Sequence, residues 1–231
     1  MNRLLVAISL TLVFVGALSR ADETKSCSEG KDQNCSEHHM KRHVAIELVP
    51  KTYFLKDSAA AGGFLPNGFA APSRTQVGAD VRIYRTCTQG WQIGMDLSGV
   101  EYSQDGVAST SFSRFSDGYG GLWLAKVFEI APSLNVSVGS VFGFGITNLE
   151  VLGTTTNGAM REFALVVEPT VSINYHIWRW FRVGVTASYV LPFLRSDDVK
   201  GQDMGVRNIS VQGVTTGLQI VMSRSEEDDK N

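Results

Sequence analysis

The chain's metal-ligating and nucleophilic side chains are few, and their placement limits what they can do. Cys27, Cys35, His38, His39 and His43 crowd together near the N-terminus, while Cys87 and His176 stand alone. Cys35, His39 and His43 are four apart, a spacing that lines soft and borderline zinc ligands along one face of a helix. Structural zinc sites draw on Cys-x-x-Cys pairs, and none is present. A disulfide between Cys27 and Cys35 in an oxidising compartment is the simpler expectation, and it leaves Cys87 odd. No metal site and no cofactor are expected. General-base chemistry at neutral pH favours His. Serines gather at Ser103, Ser109, Ser111, Ser113 and Ser116, far along the chain from any His.

A second set of residues carries charge inside stretches that are otherwise uncharged or apolar: Asp80, Arg82, Asp96, Glu168 and Arg182, with Glu47, Lys51 and Lys126 as possible partners. Isolated charges of both signs on half-buried strands are expected to pair with one another, because a buried charge without a partner is costly. They are therefore read as a structural charge network, with a gated ion path as the functional alternative.

The elements that would position these charges show a period of two. Residues 77–84, 91–98, 134–147, 163–174 and 181–191 alternate cleanly, and residues 44–54, 119–130 and 208–222 do so more weakly. Alternation marks strands whose two faces meet different surroundings. One face carries Val77, Val81, Trp91, Leu97, Phe142, Phe144, Phe163 and Val185, with Ser140 its only polar member in the clean segments. The other is Gly, Ser, Thr and Asn with the charges named above. The connections alternate too: 55–76, 103–117, 148–160 and 194–206 are long, while 87–90, 131–133 and 176–179 are short. That pattern predicts an all-β fold, an eight-stranded antiparallel up-and-down transmembrane β-barrel with its long connections at one end.

Composition is consistent with this. Of 231 residues 43% are hydrophobic and 19% charged, with a formal net charge of -2, which excludes a disordered chain and disfavours nucleic-acid binding. Residues 1–21 read as a secretory signal peptide: Arg3, an uncharged run over residues 4–18, and small residues before Asp22. Residues 22–43 read as a polar periplasmic arm, 44–223 as the barrel, and 224–231 as a disordered charged tail.

Two kinds of eight-stranded barrel fit such a pattern. A soluble, lipocalin-like periplasmic barrel keeps its apolar face inside around a ligand, whereas a membrane barrel turns it outward. Gly-rich polar faces with few Lys and Glu favour the second. Aromatics agree, since Trp91, Tyr175, Trp178 and Trp180 gather at the short-turn end as interfacial anchors, and Phe54, Tyr102, Phe142, Phe144 and Phe193 lie toward the other. Asp57, Asp105, Asp117, Asp197, Asp198 and Asp203 read as solvated charges in the long connections. Pro169, mid-strand, predicts a locally broken ladder.

Over residues 44–222 the chain resembles the small outer-membrane β-barrel proteins of Gram-negative bacteria, the OmpA/OmpX type. Thr215-x-Gly217-x-x-Ile220-x-Met222 is similar to that family's C-terminal signal, although its last apolar positions are not aromatic. The resemblance implies an outer-membrane location, outer-membrane lipid and the barrel assembly machinery as partners, a monomer, and an unidentified partner for the extracellular loops. Some barrels of this kind resemble lipid-modifying enzymes with a His and a Ser in the extracellular half. This chain's histidines fall at the other end, so a structural or surface-interaction role without catalysis is expected.

Overall fold

The computed structural model describes residues 43–55, 75–105, 112–152, 157–201, 209 and 211–225. The expected signal peptide, residues 22–42 of the arm with the expected Cys27–Cys35 disulfide, and most of the tail lie outside the described residues; His43, read as the arm's last residue, opens β1.

Eight strands follow in chain order: β1 (His43–Leu55), β2 (Thr75–Thr86), β3 (Trp91–Asp105), β4 (Phe112–Ala131), β5 (Leu134–Leu152), β6 (Asn157–Trp178), β7 (Phe181–Gly201) and β8 (Gly213–Ser225). Each pairs antiparallel with its neighbours in sequence, and β1 pairs with β8 to close the barrel. The short connections share one end. β2 and β3 are joined through Cys87 and the 3-10 turn Thr88–Gly90, where Gln89 and Gly90 take positive φ and the Cys87 N–H donates to the Trp91 carbonyl at 2.7 Å. Two-residue turns join β4 to β5 and β6 to β7.

Side chains alternate across the wall as the period-two reading requires. Ile93, Leu97, Leu122, Phe142, Phe144, Val171 and Val185 point outward and are exposed, whereas Asp80, Arg82, Asp96, Glu168, Ser172 and Thr186 point inward and are buried. Gly121 faces Gly143 across β4 and β5, where a Cβ on Gly143 would stand 2.6 Å from the Gly121 Cα.

β3 to β7 run further than the alternation suggested, and the reason is physical; β8, expected over 208–222, instead begins at Gly213 and runs to Ser225. Toward the long-connection end the polarity of the two faces exchanges. Outward positions become Glu101, Arg114, Glu150 and Arg161, while inward positions become Val100, Phe115, Leu149, Val151 and Met160, buried in one apolar cluster. Period two persists, but its phase reverses, as it must when the outside changes from hydrocarbon to water. Stretches read as connections are consequently partly strand: 103–105 and 112–117, 148–152 and 157–160, and 194–201. Asp117, expected to be solvated, is buried and accepts a hydrogen bond from the Thr147 hydroxyl. Tyr102, expected in an aromatic girdle, packs against the inward apolar cluster instead.

β3 to β7 carry this extension, while β1, β2 and β8 stop short. Pairing of β2 with β3 ends at Gly78–Val100 and that of β7 with β8 at Val190–Gly213, so a five-stranded sheet rises beyond the closed ring. On β7 an extra residue at the level of Phe163/Leu165 forms a bulge that includes Leu194, at φ 49. The bulge resets the alternation and brings Arg195 to the buried Glu162, 3.6 Å away. Beside Pro169 the β6–β7 pairing lapses at residues 168–169, while β5 stays paired.

Candidate functional site: a buried charge layer and the surface around it

β1 and β2 place two bases against acids from four strands. Arg82 Nε donates to Asp96 Oδ2 at 2.7 Å and Nη1 to Glu47 Oε1 at 2.6 Å, with the guanidinium 3.7 Å above the Trp123 ring. Gln219 Nε2 donates to the same Glu47 oxygen at 2.7 Å and to Ser172 Oγ at 3.0 Å. Lys51 Nζ donates to Glu168 Oε1 at 2.6 Å and pairs with Asp80. Hydroxyls complete the layer. Tyr119 donates to Glu168 Oε2 at 2.8 Å, Ser188 also donates to Glu168, and Ser98 donates to Asp80 Oδ1 at 2.6 Å. Tyr53 and Ser98 are hydrogen-bonded at 2.6 Å.

Lys51, Asp80, Arg82, Asp96 and Glu168 are each no more than 2% exposed. Side chains fill the lumen here, as expected of eight strands. Such pairs add little net stability, because desolvation offsets most of their attraction, but breaking one leaves a buried charge uncompensated. Their effect is on register: a β1 displaced by one residue would take Lys51 out of the interior.

The expected network is therefore present with changes in membership. Glu47, Asp80, Arg82, Asp96 and Glu168 come together as the sequence suggested, and Lys51 is central to them. Arg182 is interior but bonds to Tyr84 at 3.3 Å, two residues nearer the short-turn end of β2 than Arg82. Lys126 does not belong. Inward positions on β4 are odd-numbered, including Tyr119 and Trp123, so Lys126 lies on the outer face, where it reaches the Gln89 carbonyl and stands 5.3 Å from the Trp91 ring centre. Ser98 and Ser188 fall on the polar face read from the sequence, whereas Tyr53, Tyr119, Trp123 and Gln219, on the more weakly alternating β1, β4 and β8, were not singled out; parity with Glu47 on β1 would have placed Tyr53 inside. His176, at the short-turn end, is hydrogen-bonded to Asn135 at 2.8 Å.

The outer face decides what kind of barrel this is. Around the ring below the polar extension, outward positions are mostly apolar, many of them bulky, with Val77 and Phe144 72% and 73% exposed. The barrel is inside out. An apolar belt of this extent suits hydrocarbon and not water, and a lipocalin-like barrel would need the two faces reversed. At the belt's short-turn edge Trp91, Tyr175, Trp178 and Trp180 are all exposed, with Trp178 and Trp180 stacked at 5.6 Å.

No family model matches the chain, and no curated protein matches it either. Among solved structures it is similar to Ail, the attachment invasion locus protein of Yersinia pestis, with 11% identity over 80% of this chain and 97% of that one and a TM-score of 0.48; that protein was solved with the heparin analogue sucrose octasulfate. It is also similar to the outer membrane protease OmpT of Escherichia coli, with 10% identity over 84% of this chain and 97% of that one and a TM-score of 0.31. The inside-out barrel itself stands on the strand registers and exposed faces described above.

Proposed function

We propose that the protein resides in the outer membrane of a Gram-negative cell as a monomeric barrel with a structural or surface-interaction role and no catalytic step. The observation that carries this reading is the pairing of two surfaces on one wall: an apolar belt around the ring, and above it a five-stranded sheet whose outward residues are mostly polar or charged. The belt fits the bilayer, and the sheet with the long connections it bears fits the cell exterior. Residues 1–21 supply export, residues 22–42 lie in the periplasm, and Trp91, Tyr175, Trp178 and Trp180 seat the barrel at the periplasmic headgroups. Outer-membrane lipid and the assembly machinery, reading Thr215 to Met222, are the partners of the barrel; an extracellular partner is engaged by the raised sheet and its connections. A lipid-modifying role lacks support, because the two described histidines, His43 and His176, are both at the opposite end.

The test is refolding of the chain with and without detergent micelles, read by gel mobility before and after boiling. A compact, heat-sensitive band that forms only with micelles is the expected result. Clean folding in plain buffer would remove the membrane reading and turn attention to an enclosed ligand.

A further inference from the structure

Below the raised sheet, the outer wall carries charge of one sign at one height. Among the described residues, the outward positions of the closed ring hold three charged side chains, Arg85, Lys126 and Arg224, and no Asp or Glu. All three sit at the short-turn end: Arg85 is one residue from the end of β2, Arg224 one residue from the end of β8, and Lys126 faces Trp91, the first residue of β3. The registers place them on one arc. Val44 on β1 pairs with Arg85 on one side and with Arg224 on the other, and the arc continues through Ile93 and Trp91 on β3 to Lys126 on β4. Val44 is 43% exposed, an apolar floor between two arginines whose backbones are two strand spacings, roughly 10 Å, apart. Lys126 stands 5.3 Å from the Trp91 ring centre and reaches the Gln89 carbonyl. The raised sheet differs, since its outward face mixes Glu101 and Glu150 with Arg114 and Arg161.

A charge on a lipid-facing wall is destabilising at mid-bilayer and tolerated near the headgroups, which accounts for the height of these residues but not for their common sign. At headgroup level the complementary group is phosphate. Guanidinium groups take phosphate oxygens through paired N–H donors, and an ammonium does so as a point charge. We propose that Arg85, Arg224 and Lys126 bind the phosphate headgroup of an anionic phospholipid in the periplasmic leaflet, with Val44 and Trp91 against its glycerol and first acyl carbons. The site rests on the membrane placement proposed above and adds a lipid class to it. A zwitterionic headgroup brings its own cation to the same bases, so the arc discriminates against it by repulsion. Tyr175, Trp178 and Trp180 occupy β6, β7 and the turn between them, on another part of the rim. One part of the rim thus sets depth through aromatic rings, and the other selects the charge of the neighbouring lipid.

The experiment refolds the full chain into non-ionic micelles, titrates in phosphatidylglycerol or phosphatidylcholine, and counts the lipid retained on the barrel by native mass spectrometry. The heat-sensitive gel band, recorded in parallel, reports the barrel itself. Phosphatidylglycerol is expected to bind about 100-fold more tightly at low salt, about fivefold from each of three bases, and the preference should shrink as NaCl is raised. Arg85→Gln and Arg224→Gln should each lower it about fivefold, and a variant with Lys126→Gln added to both should show none, with the band unchanged in all of them. Equal retention of the two lipids by a barrel that gives the band overturns the site and leaves the membrane placement standing. A preference that survives loss of all three bases puts the anion elsewhere and also overturns it. So does a preference that appears only after Glu226, Glu227, Asp228 and Asp229 are exchanged for neutral amides, which assigns the bases to the chain's own acidic tail. Absence of the band in every micelle removes the membrane placement and this site with it.

Discussion

Replacing Arg82 with Met isolates what the buried layer contributes. The side chain is 1% exposed, donates two charge-assisted hydrogen bonds of 2.6 and 2.7 Å, and lies on the Trp123 ring. Methionine keeps most of the stem's packing but leaves Glu47 and Asp96 without their shared cation. Removing one member of a buried ion pair costs about 3–5 kcal/mol, and here two acids are stranded, so a loss near about 4–5 kcal/mol is expected. With a urea slope of about 2 kcal/mol per molar, the midpoint of the micelle-bound barrel should fall by about 2 M. Tryptophan fluorescence and the heat-sensitive gel band would report it together. The decisive partner is the triple variant Arg82→Met, Glu47→Gln, Asp96→Asn. With no stranded charge it should regain most of the loss, since a neutral replacement for a buried ion pair is often harmless. A single variant that costs under about 1 kcal/mol, or a triple variant no better than the single, would refute the reasoning.

Other consequences are open to direct measurement. Leu122→Arg on the apolar belt should destabilise the barrel by about 2–4 kcal/mol, whereas Ser116→Arg on the same face of β4 in the polar extension should change it by under about 1 kcal/mol, as read from urea midpoints in lipid vesicles. Gly143→Val places a side chain against the Gly121 backbone and should cost about 1–3 kcal/mol or prevent closure, seen as a loss of the heat-sensitive band. With Cys27 and Cys35 changed to Ser, Cys87 at the β2–β3 turn should react with a membrane-impermeant maleimide only after the outer membrane is permeabilised; labelling of intact cells would reverse the proposed orientation.

Much of this was legible in the sequence because a barrel wall has a simple code. Wherever one face met lipid and the other the crowded lumen, period two came through; the first two short turns fell where expected, while the third, expected at 176–179, lies at 179–180. The expected gap in pairing beside Pro169 is found on the β7 side. Legibility failed where the environment of the wall changed. Above the belt Phe115, Leu149 and Met160 turn inward and Arg114, Glu150 and Arg161 outward, so an apolar face tracked up from Leu122 or Phe142 ends while the strand continues. Lys126 was misplaced because β4 alternates weakly, with Gly118, Gly120 and Gly121 carrying no facial signal. The bulge at Leu194 was invisible, since Leu gives no hint of left-handed backbone. Lys51's central role needed three-dimensional closure, because Glu168, its partner, is 117 residues away.

That distance bears on how the chain assembles. Glu47 and Gln219, joined across the seam between β1 and β8, are 172 positions apart, so the ring shuts only after the whole chain has been delivered. An unfinished arc in hydrocarbon would leave strand edges with unsatisfied amides and carbonyls. Lys51 entering with β1 alone would also have neither carboxylate beside it. Piecemeal insertion, one hairpin after another, is thus uphill at every intermediate, and the energetic return comes in one final step. The kinetics follow: slow folding with a rate limited by a late, concerted event, sensitivity to any truncation of β8, and, once shut, a barrier to reopening that should make the barrel long-lived in the membrane even if its equilibrium stability is modest.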